Sequence, residues 1–81
     1  MKKTYKFFTG ENCSPCKALK ARIEELQLHD SFDVLDVTQN VNEACKYHVR
    51  SLPHIVCSDG THYLGLVDGL ALLEMMSDLN G

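Results

Sequence analysis

Between Thr9 and Lys17 the chain changes its period, and two cysteines, Cys13 and Cys16, sit at the change. Thr4, Tyr5, Lys6, Phe7, Phe8 and Thr9 are aromatic or β-branched enough to predict a strand that stops at Gly10. From Ser14 onward Cys16, Leu19, Ile23 and Leu26 recur at helical spacing, which predicts an amphipathic helix running to about Leu28. Pro15 falls in its first turn, where the missing N–H would have had no intrahelical partner, and so helps to fix where the helix begins. Phe32, Val34, Leu35 and Val37 form a second strand-like run reached through that helix, the pattern of a right-handed parallel crossover.

The remaining elements follow at short intervals. Asn40 with Glu43 three residues on reads as a reciprocal helix cap, opening a short helix to about Tyr47 with Val41, Ala44 and Cys45 facing inward. Ile55 to Cys57, then Ser58, Asp59 and Gly60, then Thr61 to Leu64 predict a strand, a tight turn and an antiparallel strand. Leu72, Met76 and Leu79 share one face of a last helix with Asp68 near its start. The order is strand, helix, strand, helix, strand, strand, helix, without repeats or low-complexity stretches.

An 81-residue chain is expected to form one domain, residues 1–81. Such a chain buries only about 60–65% of its unfolded surface, so its core must be economical. A net charge of −3, with no basic cluster beyond Lys2 and Lys3, offers no concentrated positive face for nucleic acid or an anionic membrane. No apolar stretch reaches the length of a signal peptide or a membrane span, which leads us to expect a cytoplasmic protein. In that reducing compartment a close cysteine pair points to catalysis or metal binding rather than to a structural staple.

A sulfur at a helix N-terminus gives up its proton readily, because unpaired backbone N–H groups and the helix dipole favour the thiolate. Cys13 stands at that position, while Cys16 is one turn later on the stripe of Leu19 and Ile23 and is expected to be shielded. The first would then attack and the second resolve in thiol–disulfide exchange. Zinc is the competing use, but it needs four ligands, and only scattered His29, His48, His54, His62, Cys45 and Cys57 are on offer. Cys45 and Cys57 are expected to be small core residues, and His54 an inward or rim residue of its strand.

With Cys13, Ser14, Pro15, Cys16 and Lys17 at the first strand-to-helix junction, this order resembles the thioredoxin fold in its short, glutaredoxin-sized form. The resemblance implies an α/β fold of βαβαββα order, a four-stranded mixed sheet flanked by three helices. The run from Lys46 to Pro53 resembles the segment leading into the family's cis-proline. It implies that Pro53 is cis and lies beside the Cys13 sulfur, and that the backbone of Leu52 pairs with an extended substrate. Read without the resemblance, Pro53 would be a trans proline opening an edge strand.

Two residues depart from the family pattern: Asn12 stands where thioredoxins usually have tryptophan, and Phe7 where they have a buried aspartate. Gly65, Leu66, Val67, Asp68 and Gly69 look similar to the turn with which glutaredoxins hold glutathione, which makes Asp68 either a glutathione contact or a helix N-cap. The implied function is reduction of protein or small-molecule disulfides, without a bound cofactor, by a monomer. Thioredoxin reductase or glutathione would be the electron donor, and an enzyme such as ribonucleotide reductase an acceptor. A glutathione-dependent glutaredoxin and a non-catalytic binding module of the same fold are the alternatives.

Overall fold

A computed structural model describes the backbone of residues 4–80 and the side chains of residues 4–78. Lys2 and Lys3, and the side chain of Leu79 on the last helix's apolar face, lie outside the described residues. The elements are β1 (Tyr5–Thr9), α1 (Ser14–Glu25), β2 (Phe32–Asp36), α2 (Val41–Lys46), β3 (His54–Cys57), β4 (His62–Leu64) and α3 (Gly65–Asn80), with a turn of 3-10 helix at His29–Ser31. The expected order is therefore the observed one. The strands form a single mixed sheet in the order β2-β1-β3-β4, with β1 parallel to β2 and antiparallel to β3, and β3 antiparallel to β4.

The strand period of two divides the sheet into unlike faces. Phe7 of β1 and Ile55 of β3 are register partners, and both point into a cluster with Cys16, Leu19, Ile23, Leu28, Phe32, Leu72, Leu73 and Met76. This is the core, and α1 and α3 cover it. Gly69 lets these two helices approach closely, since a Cβ there would lie 2.6 Å from a methyl of Leu19. The opposite face carries Phe8, His54 and Val56, all buried. There α2 contributes the Tyr47 ring, 6.1 Å from Phe8 between centroids, and Glu43, 3.6 Å from Nζ of Lys6.

Several expectations fail locally. Helix α1 ends at Glu25 rather than near Leu28, because Gln27 takes up a left-handed φ of 58°. The N–H of Gln27 donates to the Glu24 carbonyl and that of Leu28 to the Ile23 carbonyl, closing the helix with Leu28 tucked into the core. Helix α2 ends the same way through His48, at φ 57°, with Val49 donating to the Ala44 carbonyl. Asn40 precedes α2 but its side chain makes no cap; its amide donates instead to the backbone oxygen of Asp36. Val41 is 57% exposed, Cys45 is exposed and Ala44 only half-buried, so the face read as inward is not the one that packs. Contact with the sheet comes from Glu43 and Tyr47, whose longer side chains reach Lys6 and Phe8. Helix α3 begins at Gly65, earlier than the sequence pattern placed it, because a φ of 85° at Gly65 turns β4 directly into the helix. No helix of the described residues is long and apolar enough to cross a membrane.

Candidate active site

Strand β1 delivers the chain through Gly10 to Cys13, which is the N-cap of α1 with an extended φ of −115°. Its Sγ accepts the Cys16 N–H at 3.2 Å, and its carbonyl accepts the Lys17 N–H at 3.1 Å. Cys13 and Cys16 form a disulfide, with their Cα atoms 5.2 Å apart. Cys13 is half-buried, Cys16 is 1% exposed, and Ser14, Pro15 and Lys17 are all exposed. Cys13 is thus partly accessible, whereas Cys16 lies in the core among Phe7, Leu19 and Ile23.

The electrostatics follow from this placement. When the bridge opens, an anionic Cys13 sulfur keeps its bond from the Cys16 amide and sits at the positive end of a twelve-residue helix. Cys16 has apolar surroundings, which favour its neutral thiol. Phe7, fully buried in that cluster, occupies the place where the resemblance sets an aspartate, so Cys16 has no carboxylate from that position.

Leu52 and Pro53 join the same region. The Leu52–Pro53 peptide is cis, as the resemblance implied, and Pro53 is fully buried at the start of β3. Leu52 is half-buried against the core, as is Cys13. It also lies tight against the loop that precedes Cys13, since a Cβ on Gly10 would come within 2.9 Å of its methyl. The Pro53 carbonyl accepts the Gly65 N–H at 2.9 Å, which ties this segment to the start of α3.

Asp68 is not the helix N-cap that was one of the two roles expected of it. It lies within the first turn of α3, not at its cap, and is exposed. Gly65 to Gly69, read as a turn, are helical. At the same end of the sheet, the Asp36 carboxylate accepts bonds from the Thr38 hydroxyl at 2.6 Å and the Thr38 N–H at 2.8 Å, which hold it below the usual carboxylate range.

The other cysteines are not core residues. Cys45 is exposed on α2, and Cys57 is half-buried, its thiol pushed up by burial and then by the nearby Asp59 carboxylate. Among the described residues no three His, Cys, Asp or Glu side chains converge as a metal would require.

Sequence reasoning did not pair His54 with His62, whose ring nitrogens lie 2.7 Å apart. The hairpin register carried the signal. With Val56 opposite His62 and His54 opposite Leu64, the two histidines are diagonal neighbours on one face.

The family model for thioredoxin matches residues 5–78. No curated protein matches the chain significantly. Among solved structures, thioredoxin from Trypanosoma brucei brucei superposes with a TM-score of 0.73 at 25% identity, covering 94% of this chain and 73% of that one. Oxidised thioredoxin from Plasmodium falciparum gives 0.67 at 22% identity, with 90% and 79% covered. A structure described as a malarial protein gives 0.58 at 22% identity, with 88% and 92% covered. With a family match over nearly its whole length and a disulfide-bonded Cys-x-x-Cys pair at the head of α1, this chain belongs to the thioredoxin family: it is a thiol–disulfide oxidoreductase whose Cys13–Cys16 disulfide is redox-active and which needs no bound cofactor.

Proposed function

We propose that the protein reduces disulfides of proteins or small molecules, with Cys13 as the attacking and Cys16 as the resolving sulfur. The observation that carries this reading is the asymmetry of the pair: Cys13 half-buried, capping α1 and bonded to the Cys16 amide, against Cys16 sealed in the core. In the reduced protein the Cys13 thiolate attacks one sulfur of the substrate disulfide. The substrate's S–S bond breaks, a mixed disulfide forms, and the released sulfur leaves as a thiolate that takes up a proton. Cys16 then loses its proton and attacks the Cys13 sulfur. The second substrate sulfur is expelled, and Cys13 and Cys16 are left bridged. Two electrons have passed from the two cysteines to the substrate.

Leu52 and Pro53 flank the disulfide as the wall of the docking groove, where the backbone of Leu52 pairs with an extended substrate segment. The closeness of Leu52 to Gly10 supports this role. Asp68 is assigned an outer contact to the substrate or to the amine of glutathione, supported only by its exposed place on the first turn of α3. The electron donor is thioredoxin reductase or glutathione, and the acceptor a disulfide-using enzyme of the ribonucleotide reductase kind. Residues 1–81 act as one monomeric domain in the cytoplasm.

Replacing Cys13 by Ser removes the nucleophile, so insulin-disulfide reduction should fall to the uncatalysed rate, a loss of at least about a thousandfold. Cys16→Ser should instead trap the mixed disulfide, visible by mass spectrometry. Full activity in Cys13→Ser would overturn the reading. A coupled NADPH assay, run once with thioredoxin reductase and once with glutathione and its reductase, decides between the donors.

A further inference from the structure

His54 and His62 take no part in the disulfide. His54 is 4% exposed on the α2 face of the sheet, edge-on to Phe8 with centroids 6.2 Å apart. Its Nε2 lies 2.7 Å from Nδ1 of His62, an exposed residue of β4. At that separation one nitrogen carries the proton and the other accepts it. The remaining nitrogen of His54, Nδ1, is buried and meets no hydrogen-bond partner among the described residues. This pair accommodates one shared proton. One further proton can enter at an outer ring nitrogen and keep the contact, at the cost of charge beside an apolar site; with both rings protonated, two N–H groups face each other and the contact must open. Burial, and then the neighbouring His62, hold the His54 imidazole below its ordinary range.

The pair sits at a mechanical junction. His54 directly follows Pro53, and His62 opens the strand that ends at Gly65. The segment at Pro53 is therefore tied to β4 and the start of α3 twice, by the His54–His62 contact and by the Gly65 N–H on the Pro53 carbonyl. Other titratable groups lie nearby. His62 lines a cleft of about 230 Å³ with Lys6 of β1, Tyr47 of α2 and Cys57 of β3. Lys6 is paired with Glu43 of α2 and lies beside Asp33 of β2 in register, and the Lys46 Nζ stands 5.4 Å over the Tyr47 ring. The two lysines oppose added positive charge here, and Glu43 is engaged with one of them.

We propose that His54 and His62 are positioning residues: their shared-proton contact holds the Pro53 segment in the shape that docks substrate, and protonation of both rings on acidification releases it. The functional half of this inference rests on the groove assigned above to Leu52 and Pro53. Prereduced protein, freed of reductant, is mixed with a disulfide-containing peptide between about pH 5 and about pH 8, across the imidazole range. The concentration dependence of the rate then separates half-saturation from the limiting rate, which also carries the titration of Cys13. The half-saturation concentration should rise about threefold to tenfold at the acid end, the worth of one net hydrogen bond. In His62→Asn the amide oxygen replaces Nδ1 as acceptor without titrating, and the profile should be flat. In His62→Leu no acceptor remains, and half-saturation should be raised at every pH.

A titration of the imidazoles by NMR, which needs no substrate, keeps the two readings apart. Linked titration of His54 and His62, together with a flat His62→Asn profile, supports the proposal. Independent titration, or a wild-type profile retained in His62→Asn, overturns it and leaves the groove standing. Linked titration with half-saturation unchanged by pH also overturns it, since the contact then does not govern docking, and likewise leaves the groove standing.

Discussion

The two faces of the sheet are built from the same strands and differ in what covers them. On one, Phe7 and Ile55 meet two helices of twelve and sixteen residues and close a dry cluster that includes the buried sulfur of Cys16. On the other, Phe8, His54 and Val56 meet a helix of six residues, the His62 ring and a cleft of mixed lining. A long helix offers a full apolar stripe, so its burial follows from its sequence period. A single short turn cannot, and its packing rests on whichever long side chains reach the sheet. The first face holds the redox pair in place, whereas the second carries the histidine pair.

The sharpest way to break this contrast is to cut into both faces. Leu73→Ala on α3 should cost about 2–5 kcal/mol of unfolding free energy, because it leaves a cavity in a packed core, whereas Val41→Ala on the exposed side of α2 should cost less than about 0.5 kcal/mol. Denaturant unfolding of both variants measures the difference, and equal losses would mean that α2 packs as tightly as α3. Thiol reactivity sharpens the same comparison in the oxidised protein. Exposed Cys45 should alkylate about tenfold faster than Cys57, whose thiol is half-buried and pushed up by burial and by Asp59. Peptide mapping after brief iodoacetamide treatment reads the ratio.

A smaller effect concerns acid stability. The folded His54 imidazole titrates below its unfolded value of about 6.5, so the unfolded chain binds more protons between the two values. The stability it contributes is present above about pH 6.5 and is lost as pH falls through the lower folded value. His54→Phe should flatten that part of the stability-against-pH curve, with Phe8 as its neighbour. The smallest expected change is at the end of α1, where Gln27 holds a left-handed φ of 58°. Gln27→Gly should add about 0.5 kcal/mol by relieving the Cβ crowding, read as a rise in the unfolding midpoint.

Much of the architecture was legible because it depended on neighbours in the chain. The strand ending at Gly10, the cysteine at the helix start, the proline in its first turn and the stripe through Leu19 and Ile23 are each local, and each stands where it was read. Misreadings cluster where the chain is short or where a distant partner decides. Cys45 shares helical spacing with Val41, yet both face outward, because Tyr47 and Glu43 make the contact with the sheet. Asn40 had a backbone oxygen of Asp36 within reach and took it in place of the cap. Neither helix end at Gln27 or His48 carries the glycine that would have announced it.

Residue order by itself determined that an extended run feeds a helix through Cys13 and Cys16, because propensity, period and the Pro15 constraint all act within a few residues. Tertiary structure alone decided that Leu52 stands against the loop before Cys13, that Cys16 is sealed in the core, and that His54 finds His62. Those contacts join residues far apart along the chain, and they exist only once strand register and helix packing have set which faces meet.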